Sequence, residues 1–346
     1  MIGPDRSVHG GISGVVNGLY DAGLDTKIDL KYIGTMKEGS KIFKLLVAIG
    51  AYLRFLAFIF WADIVHINVA SDASFVRKSI FLNTAYFFQK KIVLHQHGGD
   101  FENWYNGHTE AGKRKIERSF ERANVLIVLA PIWKEYFSQF VEADKIYVMP
   151  NSILISYSER EFEQIYANKR EKNILFLGRI CEAKGVRELL AAIKVVKQQL
   201  PDVSLTLAGI WEDKALESLI DDELKGSVEY VGWITGEDKR RYLEQSAIFV
   251  QPSHFEGQSV SILEAMEAGC LVVASNIGGI PMMIKDGENG LLFTPKSVSE
   301  IASKIIEAIN DADKRKTLTK NAYNDVKKGY DIGEYLEQLV QIYTNL

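Results

Sequence analysis

The sequence predicts an α/β fold built from doubly wound parallel sheets, and three observations support this prediction. Short, continuously apolar strand candidates alternate with helical patterns along the whole chain. Strands that are apolar on both faces and separated by helices are typical of parallel sheets covered by helices on both sides. Several strand candidates end in glycine, histidine or asparagine, and ligands of this fold class bind beyond the carboxyl ends of strands.

The elements are predicted in order from their apolar periodicity. The strand candidates are residues 63–69, 91–97, 125–130, 146–150, 173–178, 204–209, 228–233, 248–253, 271–275 and 290–293. Helical patterns include 185–200, 235–246 and a terminal helix within 330–346. Only "MIGP" precedes the first glycine-rich turn, so the first strand is either very short or has lost residues.

A charged, strand-poor stretch, 152–172, separates two β-α series. We therefore predict an N-terminal domain, 1–152, joined by the terminal helix 330–346, and a C-terminal domain, 153–329. A chain of 346 residues is long enough for two domains.

The composition narrows the function classes. A net charge of −4 argues against a nucleic-acid partner, since such binders are usually basic. Cys181 and Cys270 lack metal-ligand spacing, and the polar start "MIGPDRSVHGG" does not have the pattern of a cleavable signal peptide. These features predict a cytoplasmic protein without a structural disulfide.

One segment, 44–61, is almost wholly apolar and is interrupted by Arg54. A central arginine disfavours a membrane-spanning helix. The alternatives are a buried helix and an interfacial helix whose Lys41, Lys44 and Arg54 reach lipid headgroups. The basic and aromatic stretch 75–91 has a similar composition, so the sequence predicts that the first domain contacts the inner face of the cell membrane peripherally.

Two glycine-rich junctions mark the first half. The motif "HGGISG" (9–14) runs into a helical pattern. Its glycines would either let the backbone bind a phosphate or form a tight turn. The motif "HQHGGD" (95–100) places His95 and His97 on one side of a strand, with Asp100 after the turn. Histidine with aspartate at a strand exit suggests function, although a lone histidine there is more often structural.

The motif "GRICEAKG" (178–185) directly follows a strand candidate in the second half. Arg179 and Lys184 are two cations that could neutralise a diphosphate. A solvated basic loop beside Glu182 is the alternative.

The stretch "HFEGQSVSILEAMEAG" (254–269) passes from loop to helix. Amides near Gly257–Val260 could bind a phosphate, while Glu256 and Glu264 accept hydrogen bonds from flanking hydroxyls. The alternative is a capping box formed by Ser261 and Glu264, with Glu256 solvated.

The stretch "FEGQSVSILEAMEAG" resembles the Glu-x7-Glu signature of retaining glycosyltransferases of family 4. The motifs "GGIS", "HGGD", "MPNS", "GRICEAKG", "LAG", "VGWI" and "SNIGGIPMMIKDGENGLLF" follow the order of that family. The resemblance implies the GT-B fold, in which two Rossmann-like domains face a cleft. Within that family, the sequence resembles the glycosyltransferases of bacterial surface-polysaccharide synthesis.

The resemblance also implies roles for individual residues. Glu256 matches the contact to donor sugar hydroxyls, and Glu264 matches the contact to the ribose. Arg179 and Lys184 match the pair that holds the donor diphosphate. The backbone amides that match its phosphate contacts belong to the helix start, at Gly257, Ser259 and Val260.

Four further positions carry roles over from the family. Gly11 matches the loop amide that closes over the diphosphate, and Ile234 lies in the turn that binds the base. His97 matches the histidine near the reacting sugar carbon, and Asp100 is a candidate for the acceptor side. The chain departs from the family at Met282, where glutamate is usual, and at Glu267, where a small residue is usual.

The sequence therefore predicts a retaining glycosyltransferase. Its partners would be a nucleotide-sugar donor and a saccharide acceptor, and the apolar first domain favours a lipid-linked saccharide. It has no Asp-x-Asp strand exit for a metal, and no cofactor is expected. Two alternatives are a non-catalytic nucleotide-sugar-binding relative and another GT-B enzyme, such as a sugar-nucleotide epimerase. An NAD-dependent enzyme is disfavoured because "GGISG" lacks the G-x-G-x-x-G spacing.

Overall fold

A computed structural model describes all residues from 1 to 346, and the chain divides into two compact units. Unit 1 comprises Met1–Leu154 and Ile332–Leu346, and unit 2 comprises Ile155–Asp331. The predicted division after residue 152 lies two residues from this boundary.

Unit 1 is built on a six-stranded parallel sheet with strand order β2-β1-β3-β4-β5-β6. The strands are β1 (Ile2–Gly3), β2 (Ile33–Gly34), β3 (Ile64–Val69), β4 (Lys91–Gln96), β5 (Val125–Val128) and β6 (Ile146–Val148). The two-residue β1 pairs with β2 on one side and β3 on the other. The direction of winding reverses between β1 and β3, which is where open α/β sheets bind ligands.

Helices cover both faces of this sheet because successive strand residues point to opposite sides. The helices are α1 (Gly11–Asp21), α2 (Leu24–Lys27), α3 (Lys41–Phe58), α4 (Asp72–Phe87), α5 (Phe101–Asn106), α6 (Glu110–Glu121), α7 (Pro131–Phe137) and the C-terminal helix (Ile332–Thr344). Val93 and Ile127 pack with Leu336 of the C-terminal helix on one face. Leu94 belongs to the core on the opposite face, which includes Phe81 of α4.

The apolar segment 44–61 forms most of α3 and the turn after it. Ala51 and Phe55 are buried, and Phe55 packs edge-on against Phe81 of α4 with 5.3 Å between ring centroids. No helix in the structure is long and apolar enough to cross a bilayer. Arg54 is exposed on the surface of unit 1.

Unit 2 has a second six-stranded parallel sheet with strand order β12-β11-β10-β7-β8-β9. The strands are β7 (Arg170–Leu177), β8 (Ser204–Ala208), β9 (Val228–Gly232), β10 (Ser246–Gln251), β11 (Leu271–Ser275) and β12 (Leu291–Phe293). The chain winds one way from β7 and the other way from β10. The reversal of strand order therefore lies between these two strands, and their carboxyl ends define the candidate site.

Seven helices flank the second sheet. They are α8 (Glu159–Ala167), α9 (Val186–Gln199), α10 (Gly236–Gln245), α11 (Val260–Glu267), α12 (Ile280–Met283), α13 (Val298–Asn310) and α14 (Ala312–Gly329). Residues of α9 and α13, including Ile193 and Ile305, share one core with Phe176 of β7.

The half-buried Lys169 fixes the junction between α8 and β7. Its Nζ donates to the carbonyl oxygens of Leu243 and Ser246, each at 2.8 Å, at the end of α10. A cation is favourable there because the last carbonyls of a helix carry partial negative charge. This contact also satisfies carbonyl groups that have no partner within the helix.

The predicted fold class is confirmed, since both sheets are wholly parallel and helix-covered. The pattern missed β2, which has only two residues, and α8, which lies in the predicted strand-poor stretch. Strand β7 begins at Arg170, three residues earlier than predicted, because its first residues are polar and exposed or half-buried.

Three neighbouring histidines in unit 1 should make its stability depend on pH. His66, His95 and His97 are close, with 3.9 Å between the ring centroids of His95 and His97. Burial lowers the pKa of His95 to about 3, so this ring stays neutral in the folded protein while it is protonated in the unfolded chain below about pH 6.5. Protonation of the unfolded chain therefore reduces stability as the pH falls.

We expect the free energy of unfolding to fall between pH 6 and pH 4, with His95 contributing up to about 1.4 kcal/mol per pH unit. Urea titrations of wild type and His95→Leu would measure this, and the variant should show the shallower slope. Val93→Ala, two residues away on β4, is the control and should lower stability equally at each pH. Equal slopes for wild type and His95→Leu would contradict the prediction.

Candidate active site

The loops after β7 and β10 meet at the reversal of strand order in unit 2. The loop after β7 ends in a single 3-10 turn, Glu182–Lys184, and α9 begins directly after Gly185. The loop after β10 runs to Ser259, where α11 begins. Backbone contact joins the loops, since the His254 amide donates to the Ala183 carbonyl at 2.9 Å.

Gly185 allows this close approach. Its φ of 68° lies in the left-handed region, and a Cβ at this position would lie 1.9 Å from the Pro252 carbonyl oxygen. Glycine alone has neither the steric penalty of that backbone conformation nor the side chain that would collide. The contact places Lys184 directly beside the loop that carries Glu256.

Lys184 and Glu256 form the central ion pair of the site. Lys184 Nζ lies 2.6 Å from Glu256 Oε2, and the side chains are only 19% and 13% exposed. Ser253 Oγ donates to the same carboxylate oxygen at 3.2 Å and accepts from Gln251 Nε2 at 2.7 Å. Two largely desolvated charges of opposite sign hold each other here, and separating them is costly unless new partners arrive.

The glycine pair before α12 supports Glu256 from the other side. A Cβ on Gly278 would lie 2.0 Å from the Glu256 carbonyl oxygen, and one on Gly279 would lie 1.9 Å from that of Gly257. The Gly279 amide also donates to the Glu256 carbonyl at 3.2 Å. The backbone around Glu256 is therefore clamped between two close contacts.

The start of α11 supplies backbone amides beside this ion pair. The N-cap is Ser259, and its side chain makes no capping hydrogen bond. Val260 is the first helical residue, so Ser261 lies inside the helix. The alternative interpretation, a capping box of Ser261 and Glu264, is wrong because Ser261 does not occupy the N-cap position. The uncapped amides carry the partial positive charge that favours an anion.

Glu264 lies about one turn into α11 and has a partner from another helix. Its Oε1 is 2.5 Å from Lys239 Nζ on α10. Both side chains are partly exposed. Ile234, predicted for the base-binding turn, is half-buried just beyond the end of β9, at the same edge of the sheet.

Arg179 is separate from the Lys184–Glu256 pair. It is half-exposed, and its Nη1 donates to both carboxylate oxygens of Glu212, each at 3.0 Å. A surface pair of this kind contributes little stability and is easily exchanged for another anion. The structure thus brings Lys184 and Glu256 into contact and leaves Arg179 at the rim, paired with a residue beyond β8.

The predicted residues of unit 1 lie at the carboxyl edge of its own sheet. Gly11 is exposed at the start of α1, with open space around its Cβ position. His97 follows β4, and its Nε2 lies 2.9 Å from Asn68 Oδ1. Burial holds the pKa of His97 well below its usual range, so the ring is neutral at physiological pH. Asp100 is the N-cap of α5 and accepts from Asn103 Nδ2 at 2.7 Å.

Residues 158–325 match the family described as "Glycosyl transferases group 1". The chain matches this family over most of unit 2, Ile155–Asp331. It is 27% identical over 236 residues to an uncharacterised glycosyltransferase of Methanocaldococcus jannaschii, covering 65% of this chain and 60% of that protein. It is 24% identical to an uncharacterised 41.2 kDa protein in the cps region of Klebsiella pneumoniae, covering 98% of this chain and 97% of that one.

A solved structure of Anabaena HepE in complex with UDP and glucose has the same fold. It superposes with a TM-score of 0.78 at 18% identity, covering 100% of this chain and 98% of that chain. The two parallel sheets and this likeness establish the GT-B fold.

The sequence analysis missed four residues that hydrogen-bond to the predicted site residues or support them. Ser253 and Gln251 support Glu256, Lys239 pairs with Glu264, and Glu212 pairs with Arg179. Ser253 had a local signal, since it lies three residues before Glu256. Lys239 and Glu212 had none, because 25 and 33 residues separate them from their partners.

The predicted departure from the family pattern at Glu267 has a structural explanation. Glu267 is buried and its Oε1 accepts the backbone amides of Ser156 and Tyr157, the latter at 3.0 Å. It thereby fixes the start of unit 2. Burial raises the pKa of this carboxyl. Met282 is exposed.

Substitution of Gly185 tests how the two loops are held. We expect Gly185→Ala to lose roughly 1–2 kcal/mol from the left-handed backbone and a further loss of about 1–3 kcal/mol from collision with Pro252. Gly226→Ala is the matched control, since Gly226 has a φ of 78° and open space around its Cβ position. Urea unfolding should show the larger loss for Gly185→Ala, and equal losses would mean that the loop contact is not tight.

Proposed function

We propose that the protein transfers a sugar from a nucleotide-sugar donor to a saccharide acceptor, with retention of configuration at the sugar carbon. The observation that carries the proposal is the largely buried Lys184–Glu256 pair beside the uncapped start of α11. A cation and free backbone amides suit a diphosphate, and a carboxylate next to them suits the hydroxyls of the attached sugar.

Donor binding would exchange the partners of the central pair. Lys184 Nζ turns to the diphosphate, and Glu256 accepts hydrogen bonds from sugar hydroxyls in place of the ammonium. Each group keeps a partner throughout, which matters because a buried charge without one costs several kcal/mol. Arg179 leaves Glu212 and adds a second cation, since its surface pair costs little to break.

The nucleotide would extend along the edge of the sheet from this point. Glu264 has two carboxylate oxygens, of which Oε1 is held by Lys239. Ribose hydroxyls donate to this carboxylate while Lys239 fixes its orientation. Ile234 offers an apolar contact for the base at the end of β9.

Charge develops on the departing diphosphate as the sugar–oxygen bond breaks. Lys184, Arg179 and the amides of Gly257, Ser259 and Val260 stabilise that charge from fixed positions. This kind of preorganised stabilisation is worth several kcal/mol, and it replaces the metal ion that other transferases use. The diphosphate then takes the proton of the acceptor hydroxyl, and the incoming oxygen attacks the same face of the sugar.

The roles of the unit 1 residues remain proposals based on the family resemblance. His97 is a neutral ring that can hydrogen-bond near the reacting carbon. Asp100 would orient the acceptor hydroxyl, and the amide of Gly11 would contact the diphosphate.

The relatives suggest which compounds to test first. Anabaena HepE was solved with UDP and glucose, and a full-length relative comes from the cps region of Klebsiella pneumoniae. A uridine diphosphate sugar and a saccharide acceptor from surface-polysaccharide synthesis, free or lipid-linked, are therefore the first pair.

We expect UDP-glucose or a related nucleotide sugar to raise the melting temperature, since a ligand of the folded state stabilises it. Glu264→Ala should weaken donor binding, and Glu256→Ala should chiefly lower turnover, by about 10²–10³-fold if its contacts form in the transition state. Melting shifts and transfer rates measure the two effects. Glu237→Ala, at an exposed position of α10, is the control.

Wild-type transfer rates in both variants would refute the site assignment. Absence of a melting shift with every nucleotide sugar would refute the donor class.

We also propose that unit 1 rests on the anionic inner face of the cell membrane. The outward side of α3 is apolar, with Ile42, Leu46, Ile49 and Leu53 exposed at spacings of three and four residues. Ile42 is 74% exposed, which is costly in water and favourable in the interfacial region of a bilayer.

The charges beside this apolar stripe match an anionic lipid surface. Lys41 and Arg54 are exposed on the same helix, and Lys44 pairs with the exposed Glu38 at 3.1 Å. Basic residues that flank an apolar helical face add electrostatic attraction to anionic lipids.

Neutralising Lys41, Lys44 and Arg54 together should reduce pelleting with anionic vesicles, because about 1 kcal/mol is lost for each basic residue near the surface. The control replaces three exposed lysines of unit 2, Lys214, Lys225 and Lys316, with the same charge change. Unchanged pelleting of the unit 1 variant, or an equal loss in the control, would refute the membrane contact.

A further inference from the structure

A lysine is buried on the side of α4 that packs against the core of unit 1, where apolar side chains are usual. Phe75, Lys78, Leu82 and Ala85 form the stripe of α4 that is buried in unit 1. Lys78 is 2% exposed, and its Nζ donates to Ser74 Oγ, one turn towards the helix start, at 2.9 Å. A lysine in such a stripe is rarely buried unless it has an anionic partner.

The structure contains no carboxylate partner for Lys78. No acidic side chain lies within ion-pair distance, and the hydroxyl of Ser74 is the one side-chain acceptor that it contacts. Burial, with a smaller effect from the neighbouring Arg77, lowers the pKa of Lys78 to about 7. The ammonium is therefore held in a desolvated place that an anion would stabilise.

A second buried polar group lies on the same side of the sheet. Gln96 ends β4, and the alternation along the strand places it with Leu94, on the face that α4 covers. It is 3% exposed, and neither its Nε2 nor its Oε1 has a hydrogen-bond partner. Buried amides are almost always paired, so this side chain indicates a missing ligand.

The side chain of Gln96 points towards the start of α4. Gln96 Nε2 and the backbone nitrogen of Ser71 both approach the Cβ position of Gly98, at 3.2 and 3.0 Å. Ser71 is the N-cap of the 16-residue α4, and its side chain makes no capping bond. Gly98 and Ser71 are half-buried, whereas both polar atoms of the Gln96 side chain are buried.

We propose that Ser71, Ser74, Lys78 and Gln96, here called the Lys78 cluster, bind a phosphate group carried by the acceptor. A phosphate offers several strong acceptor oxygens, which match an ammonium, an amide NH2, a hydroxyl and the amides of a helix start. The cluster lies wholly in unit 1 and is distinct from the diphosphate site of unit 2. Only the identification of the carrier as the acceptor rests on the proposed function.

The test removes the other phosphate site first. Equilibrium dialysis of the full-length Lys184→Met chain with radiolabelled inorganic phosphate, at constant ionic strength, measures the affinity that remains. Adding Lys78→Met should weaken this affinity at least tenfold. Lys91→Met is the control, since it makes the same charge change on an exposed residue at the opposite end of β4.

Folding does not confound the comparison. Lys78→Met replaces a buried ammonium with an apolar side chain of similar length, so its free energy of unfolding should not fall. Gln96→Leu is a second variant that leaves the charge unchanged and should also weaken phosphate binding. Wild-type affinity in both variants, or no phosphate binding by the Lys184→Met chain, would overturn the proposal.

Two organic phosphates distinguish the sources of the group. Tighter binding of glucose 1-phosphate than of geranyl diphosphate assigns the cluster to a sugar phosphate, and the reverse order assigns it to a lipid diphosphate. If a nucleotide sugar shifts the melting temperature but Lys78→Met does not change the affinity for phosphate, only the proposal for the Lys78 cluster is refuted. Phosphate binding that depends on Lys78, without any nucleotide-sugar shift, refutes the donor proposal alone.

Discussion

The candidate site of unit 2 depends on the ion pair between Lys184 and Glu256. The two residues come from loops after different strands, and glycines without room for a Cβ hold those loops together at Pro252 and Glu256. The pair keeps both charges neutralised before any ligand binds, so the site is preorganised without an unpaired buried charge. A donor that supplies both an anion and hydroxyl groups can replace each partner at once.

The charged side chains of the candidate site and the residues of the Lys78 cluster differ in their partners. In unit 2 the charged side chains of the site have partners, namely Glu256 for Lys184, Lys239 for Glu264 and Glu212 for Arg179. In unit 1, Lys78 has no carboxylate and Gln96 has no partner at all. The proposed donor site therefore has paired charges, whereas the proposed phosphate site has a buried cation without an anion.

The outer surface of unit 1 carries exposed apolar side chains on α3. Segment 44–61 is long and apolar in sequence, yet α3 buries only one side of itself against the core and leaves the other side exposed. Leu46 and Leu53 therefore remain in solvent with Arg54 next to them. A spanning helix would need every side to be apolar, whereas an interfacial helix needs one apolar side with cations near it.

The sequence by itself determined the parallel α/β class and the loops that carry Lys184 and Glu256, because apolar periodicity and glycine-rich strand exits are local signals. It could not determine that these two residues touch, or that Lys239 holds Glu264, because those contacts join residues 72 and 25 positions apart. The local pattern also misled at Ser261, where a capping motif lies inside a helix. Only tertiary packing showed that Lys78 and Gln96 are buried without an anion, since burial depends on what the rest of the chain places around a side chain.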